Sequence, residues 1–255
     1  MTTSLRMLIC ILTFLYGITV GSFLNVCIYR IPKKEDIVKK RSHCMSCGYQ
    51  LRWYDLIPVF SYIFLKGKCR NCGEKISLQY PVIEAVNGFL WVLIVLVKGA
   101  NAESLLYCLL FSALLALSII DWRTFEIPVG FNIFIALLGL VKVLLNYEDW
   151  LNHLIGAVCV SLFLYILYVA SKGRAIGGGD IKLMAAAGLF LGWKEIIFAF
   201  ITGCVLGAII HVLRMKISKA EHVLAMGPYL SFGIAFAGLF GKGIIEWYVS
   251  LFMNI

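Results

Sequence analysis

The chain has 255 residues, of which 61% are hydrophobic and only 15% are charged. Soluble domains carry about one-quarter charged residues and need more polar surface than this to cover a core. The composition therefore excludes a soluble globular protein. It indicates an integral membrane protein, which is helical because its apolar runs have the length of membrane helices rather than of barrel strands.

The net charge of +9 would suggest a nucleic-acid partner in a soluble protein. Here the positions of the charges decide otherwise, because eleven of the 23 lysine and arginine residues fall in one polar segment between Arg30 and Lys75. A basic loop on a membrane protein marks the cytoplasmic side. We therefore expect contact with membrane lipid and no nucleic-acid partner.

Apolar runs along the chain predict about eight transmembrane helices. The first run is longer than the core of a signal peptide and no small-residue cleavage site follows it, so we interpret it as a span. The tail at 241–255 mixes charged, tryptophan and apolar residues, a pattern that also suits a segment in the membrane interface. The predicted spans are 7–29, 83–97, 104–120, 130–146, 151–170, 181–192, 194–213 and 225–240.

The basic segment orients these predicted spans. When it lies in the cytoplasm, alternation places segments 122–129, 171–180 and 214–224 on the same side, and each of them carries lysine or arginine. The loops on the opposite side carry at least as many acids as bases. This bias follows the positive-inside rule and puts both chain termini on the extracytoplasmic side.

Three polar residues near the cytoplasmic edge of the first two spans are candidates for a secondary functional role. Asn25 and Arg30 lie in GSFLNVCIYRIP at the end of the first span, and Glu84 opens the second span in YPVIEA. Hydrogen bonding between packed helices is the structural alternative. Contact with a substrate is the functional one.

Four cysteines in the basic segment form two C-x-x-C pairs, Cys44 with Cys47 and Cys69 with Cys72. The 21 residues between the pairs lie close to the usual spacing of four-cysteine zinc sites, and a glycine follows each pair. Disulfides are a poor alternative in a reducing cytoplasm, and nothing else supports an iron–sulfur cluster. We predict a structural zinc ion, because four thiolates leave no position open for water. His43 is a weaker candidate ligand.

Two acids lie at the ends of predicted spans rather than in loops. Asp121 ends the run SALLALSIID, and Asp180 directly precedes IKLMAAAGLFLG. The span count puts both at the cytoplasmic edge of the membrane, on different helices. Asp121 there faces the negative end of its helix macrodipole, which disfavours its charged form. Two carboxyls at one depth can share a proton, so that one activates water while the other protonates a carbonyl.

Structural roles remain open for both acids. Asp121 could pair with a nearby arginine, and Asp180 could cap the N-terminus of its helix. Gly177, Gly178 and Gly179 precede Asp180 and could form a flexible linker. They also permit unusual backbone angles and the close approach of another chain, which would make them a substrate-binding loop.

Taken together, these motifs resemble type IV prepilin peptidases. They occur in family order between residues 17 and 193, and MGPYLSFG continues the resemblance weakly. The combination is specific, whereas the short G-x-G-D pattern alone is weak. The matching stretches are GSFLNVCIYRIP, the two C-x-x-C pairs around RWYDLIPVFSY, ISLQYPVIEA, IIDWRTFEIP and GGGDIKLMAAAG.

Members of this family are G-x-G-D aspartyl proteases of the bacterial cytoplasmic membrane. They cut the short basic leader from prepilins and pilin-like pseudopilins at the cytoplasmic face, and many also methylate the new N-terminal amine with S-adenosylmethionine. Carried over residue by residue, the catalytic aspartates fall on Asp121 and Asp180, the G-x-G falls on Gly177 and Gly179, and the zinc ligands fall on the four paired cysteines. No glycine-rich cofactor loop is visible, so methyl transfer depends on the resemblance alone.

The predicted fold is an all-α polytopic membrane protein with a zinc-binding cytoplasmic loop domain between its first two spans. We expect a first transmembrane helix at 1–30, the loop domain at 31–80 and a transmembrane aspartyl peptidase domain at 81–255. A transporter or scaffold that uses the two acids as an ion site is the alternative, but transporters bind near the midplane and show related halves. The cysteine loop argues against a presenilin-like protease.

Overall fold

The computed structural model describes residues 3–174, 176–218 and 224–253. Ala175, Lys219 of the predicted 214–224 loop and both chain termini lie outside the described residues. The helices are α1 (Thr3–Arg30), α2 (Phe60–Phe64), α3 (Gln79–Lys98), α4 (Ala102–Thr124), α5 (Val129–Leu145), α6 (Trp150–Ala170), α7 (Gly178–Leu191), α8 (Trp193–Ser218), α9 (Gly227–Phe236) and α10 (Lys242–Met253).

These helices confirm the predicted all-α polytopic membrane fold. Within the described ranges, six helical segments are long and apolar enough to cross a membrane, and the last of them runs through α9 into α10. The described ranges contain no β-strand, only two isolated β-bridges. Two further predicted spans are the shorter helices α5, with 17 residues, and α7, with 14. A 14-residue helix is about 21 Å long, less than the roughly 30 Å of a bilayer core, so the count of eight spans stays a prediction.

The chain forms two compact units, Met1–Ser112 and Ala113–Ile255, and the boundary between them lies inside α4. The first unit contains α1, the cysteine segment and α3. The second contains α5 to α10. The predicted division into 1–30, 31–80 and 81–255 stays a prediction.

In the first unit, α1 packs closely against α3 through a G-x-x-x-G motif. A Cβ on Gly17 would lie 2.7 Å from the Cα of Gly88, and a Cβ on Gly21 would lie 2.7 Å from the Cα of Glu84. Small residues allow membrane helices to approach this closely. Asn87 fastens the pair, since its Nδ2 donates a 2.7 Å hydrogen bond to the Gly17 carbonyl.

In the second unit, α7 packs against both α5 and α6, and glycines again make the contacts. A Cβ on Gly139 of α5 would lie 3.0 Å from the backbone nitrogen of Phe190 in α7. A Cβ on Gly156 of α6 would lie 2.5 Å from the carbonyl oxygen of Gly188 in α7. Gly192, with a φ of +96°, alone separates α7 from α8. These contacts fix the helix that carries the G-x-G-D motif.

Candidate active site and metal centre

Asp121 lies in the last turn of α4, and its side chain is buried. Its Oδ2 accepts a 2.8 Å hydrogen bond from the backbone N–H of Gly227, the first residue of α9. The carboxylate therefore lies against the positive end of a second helix. The partial positive charge at the start of α9 offsets the partial negative charge at the end of α4, to which Asp121 belongs.

Gly227 is a residue of the site that sequence reasoning missed. A Cβ at this position would lie 2.7 Å from Asp121 Oδ2, so glycine leaves the room that the carboxylate occupies. Pro228 follows in the first turn of α9. Proline is favoured there because the N–H that it lacks would have no hydrogen-bond partner within the helix. The signal was present in MGPYLSFG, since a proline before an apolar run indicates a helix start.

Asp180 is the third residue of α7 and not its N-cap, so the capping alternative is wrong in that form. The N-cap is Gly177, whose backbone N–H donates a hydrogen bond to the Asp180 carboxylate. This bond is one half of a capping box, in which the side chain at the third helical position reaches back to the N-cap. The half-buried carboxylate is therefore held at the start of its helix.

The three glycines differ in what surrounds them. A Cβ on Gly177 would lie 3.0 Å from Asp180 Oδ2, and a Cβ on Gly179 would lie 3.0 Å from the Cβ of Ile127, whereas Gly178 has open space around it. None of the three has a left-handed backbone, so the expectation of unusual angles is wrong. Because α7 begins at Gly178, the linker interpretation is also wrong. The glycines provide space for the carboxylate and for the segment before α5.

Both acids belong to the second unit, and the charge of Asp121 acts on Asp180, so the two side chains lie within electrostatic reach of each other. Like charges that interact disfavour ionisation of both groups at once, so one carboxyl of such a pair can stay protonated. Such a pair suits general acid–base chemistry, in which a carboxylate takes a proton from water while a carboxylic acid donates one.

The two C-x-x-C pairs fold into matching turns. The N–H of Cys44 donates to the Tyr49 carbonyl over 2.9 Å, and the N–H of Gly48 donates back to the Cys44 carbonyl over 3.0 Å. The second pair repeats both bonds around Cys69 and Gly73, at 2.8 and 2.9 Å. The two glycines have φ values of +70° and +72°, which only glycine adopts without strain. This geometry explains the glycine after each pair.

The four thiol groups converge on one point. Their sulfur atoms all lie within 4.8 Å of one another, and those of Cys44 and Cys72 are 3.8 Å apart. A tetrahedral zinc ion with bonds of about 2.3 Å holds its sulfur ligands about 3.8 Å apart, so this set fits zinc. Among the described residues no histidine belongs to the cluster, and His43 Nδ1 lies 3.3 Å from the Arg41 carbonyl instead.

Local hydrogen bonds favour the thiolate form of one cysteine. The backbone N–H groups of Cys47 and Ser46 lower the pKa of the Cys44 thiol to about 6. At Cys72 the N–H of Glu74 favours the thiolate, but desolvation and the three neighbouring thiols outweigh it and raise the pKa to about 12. Thiols with a raised pKa keep their protons in the absence of a metal. A thiophilic cation that binds the four sulfur atoms would therefore displace these protons.

The three secondary candidates, Asn25, Arg30 and Glu84, line one cavity of about 410 Å³ in the first unit, and all three are buried. Asn25 Nδ2 donates a 3.1 Å hydrogen bond to a carbonyl at the start of α3, which supports the structural alternative for this residue. Asp55, which sequence reasoning missed, also lines the cavity and pairs with Arg70 over 2.8 Å.

Comparison with known proteins matches two regions of the chain. Residues 15–98 match the bacterial peptidase A24 N-terminal domain, and residues 108–212 match the type IV leader peptidase family. A prepilin leader peptidase/N-methyltransferase of Bacillus subtilis is 32% identical over 242 residues, 93% of this chain and 97% of that protein. The protein of the same name in Aeromonas salmonicida is 30% identical over 271 residues, 94% of this chain and 93% of that protein. No solved structure matches this chain.

Proposed function

This chain belongs to the type IV leader peptidase family, and we propose that it removes the leader peptide from type IV prepilins or pilin-like pseudopilins. The observation that carries the proposal is the pair formed by Asp121 and Asp180, each held by a backbone N–H at a helix N-terminus. The family membership disfavours the transporter or scaffold alternative, in which the same acids would bind an ion.

We propose that Asp121 and Asp180 are the catalytic residues. The carboxylate of the pair takes a proton from water, and the water oxygen forms a bond to the carbonyl carbon of the scissile peptide. The protonated partner gives its proton to the carbonyl oxygen. When the C–N bond breaks, its electrons stay on nitrogen, which takes up a proton and leaves as the new N-terminal amine. Gly227 and Gly177 keep the two carboxyls in place through their N–H groups.

We propose that this site faces the cytoplasm in a bacterial cytoplasmic membrane, with both chain termini on the other side. The charge distribution along the sequence supports this orientation. The structure adds that Arg214, near the C-terminal end of α8, lies 4.9 Å from the ring of Trp122, the residue after Asp121. A basic residue at the end of α8 therefore contacts the end of α4 that carries Asp121, which supports the proposed orientation.

We propose that Cys44, Cys47, Cys69 and Cys72 hold a structural zinc ion. The fit of the sulfur distances to tetrahedral zinc supports this assignment. The segment 31–77 contains only short helical pieces between α1 and α3, so a metal is a sensible source of its stability.

We propose methylation of the new N-terminal amine as a second activity, with S-adenosylmethionine as the methyl donor. The names of the similar proteins and the match of residues 15–98 support it. When bound, S-adenosylmethionine would supply its methyl group to the amine nitrogen, with the electrons of the carbon–sulfur bond staying on sulfur and the amine proton passing to water.

The peptidase proposal is tested with the purified chain and a prepilin, and mass spectrometry of the product identifies the cleaved bond. We expect Asp121→Asn and Asp180→Asn each to abolish cleavage while the protein stays folded and zinc-loaded. Asp36→Asn is the matched control. Its Oδ1 accepts the N–H groups of Val38 and Lys39, which asparagine can also accept, so cleavage should continue at the wild-type rate. Full cleavage by either of the first two variants would contradict the assignment.

A further inference from the structure

The cavity of the first unit has an uneven distribution of charge. It lies between the end of α1, the cysteine segment and the start of α3, and its volume of about 410 Å³ is in the range of sites for small organic ligands. Two of its acids are already matched, because Glu35 pairs with Lys40 and Asp55 pairs with Arg70, both over 2.8 Å. Glu84 differs from both.

Glu84 is a buried carboxylate that meets no cation among the described residues. Its Oε2 accepts a 2.7 Å hydrogen bond from the N–H of Val59, and the hydroxyl of Ser22 donates to the same carboxylate. Both partners are neutral. A carboxylate in a buried wall with only neutral partners attracts a cationic group from a ligand, because screening by water is weak there.

Arg30 supplies the opposite charge to the same cavity. Its Nη1 donates to the carbonyls of Asp36 and Lys40, over 3.0 and 2.7 Å, and its Nη2 donates to the Arg41 carbonyl over 3.4 Å. Carbonyl oxygens hold the guanidinium in place. Its charge acts on the carboxylates of Glu35 and Asp36 at longer range, but among the described residues it forms an ion pair with neither of them. A carboxylate on a ligand would therefore find a fixed cation here.

The cavity wall also provides aromatic surface. Tyr29, Tyr62 and Tyr80 line it together with the charged residues and the turns at Cys44 and Cys69. A flat heteroaromatic ring packs well against such side chains. The cavity thus combines a buried anion, a buried cation and aromatic walls, which suits a ligand with a cationic group, a carboxylate and a planar base.

We propose that this cavity binds S-adenosylmethionine, with Glu84 facing the cationic end of its methionine part and Arg30 facing its carboxylate. The proposal rests on the methyl-transfer activity proposed above. It adds the location of the donor and two positioning residues, and it is independent of the peptidase assignment.

The first test locates the ligand in the unaltered protein. The full-length, zinc-loaded chain in detergent is irradiated with radiolabelled S-adenosylmethionine, and the labelled peptides are identified by mass spectrometry. We expect label within residues 22–84, lost when unlabelled S-adenosylhomocysteine is added. Label confined to residues 113–255 would overturn the cavity assignment and leave methyl transfer standing. If the donor does not bind while prepilin is still cleaved, both methyl proposals fall and the peptidase proposal remains.

The second test measures the affinity for S-adenosylmethionine by calorimetry. Glu84→Gln keeps an oxygen for the Val59 N–H and removes only the charge, so we expect binding at least about tenfold weaker. Glu148→Gln is the control for removal of a single carboxylate, because Glu148 is exposed and does not line the cavity, and binding should stay within about threefold. Wild-type affinity in Glu84→Gln would contradict the proposal. Zinc content and thermal stability are measured to show that each variant is folded. If a variant does not fold, the labelling experiment on the unaltered protein still tests the proposal.

Discussion

From the contact between α6 and α7 we predict how much Gly188→Ala lowers the stability of the chain and the rate of prepilin cleavage. Gly188 lies on the helix that carries Asp180, two turns farther along, and faces Gly156 of α6. A Cβ on Gly188 would lie 2.5 Å from the carbonyl carbon of Gly156 and 3.1 Å from the nitrogen of Ala157. The clash is between backbone atoms, so no side-chain rotation relieves it.

Ordinary contacts of a Cβ begin near 3.4 Å, so the two helices must separate by about 1 Å to admit the methyl group. Overpacking of this kind costs about 1–3 kcal/mol, and occasionally more. Because α7 also packs against α5 through Gly139, the separation tilts the helix that holds Asp180. A displacement of about 1 Å at a catalytic group can lower the rate about 100-fold.

We expect Gly188→Ala to lower both the free energy of unfolding and the rate of prepilin cleavage. Unfolding is followed by circular dichroism in a fixed detergent, and cleavage is measured under single-turnover conditions. Gly243→Ala is the control, because Gly243 also lies within a helix but has nothing within 4 Å of its added Cβ. Wild-type stability in Gly188→Ala would refute the close contact between α6 and α7.

Two further predictions concern the acid pair and the metal. Gly227→Ala places a Cβ 2.7 Å from Asp121 Oδ2, so cleavage should fall at least about tenfold while the chain stays folded; an unchanged rate would show that this contact does not position the carboxylate. Mass spectrometry under native conditions should show one zinc ion bound to the wild-type chain. Cys69→Ser should lose the ion, since three thiolates bind zinc less tightly than four, and the variant should unfold at a lower temperature. Equal stability of the metal-loaded and chelator-treated protein would contradict a structural role for zinc.

The membrane helices could be predicted from the sequence because composition and run length dominate their formation. The four-cysteine cluster was also predictable, since C-x-x-C spacing fixes which thiols converge. Counting spans predicted that Asp121 and Asp180 lie at the same edge of the membrane but not how far apart they are. The structure adds that the charge of Asp121 acts on Asp180, and their catalytic role stays a prediction.

The contacts that hold these groups could not be predicted in the same way. Gly227 lies far from Asp121 in the sequence, and only the packed fold shows that its N–H meets that carboxylate. The glycines before Asp180 were expected to supply unusual backbone angles, but they supply space against Asp180 and Ile127. Which surface a glycine faces depends on helix rotation, and a uniformly apolar helix carries little periodicity from which rotation can be derived.

In the proposed mechanism Asp121 and Asp180 act as one catalytic unit, and a double-mutant cycle tests this pairing most directly. Single-turnover cleavage of a prepilin is measured for Asp121→Asn, Asp180→Asn and the double variant. Residues that act as a unit show strongly non-additive losses, so each single variant should be as inactive as the double. Losses that multiply in the double variant, or a single variant that cleaves at the wild-type rate, would contradict the paired mechanism.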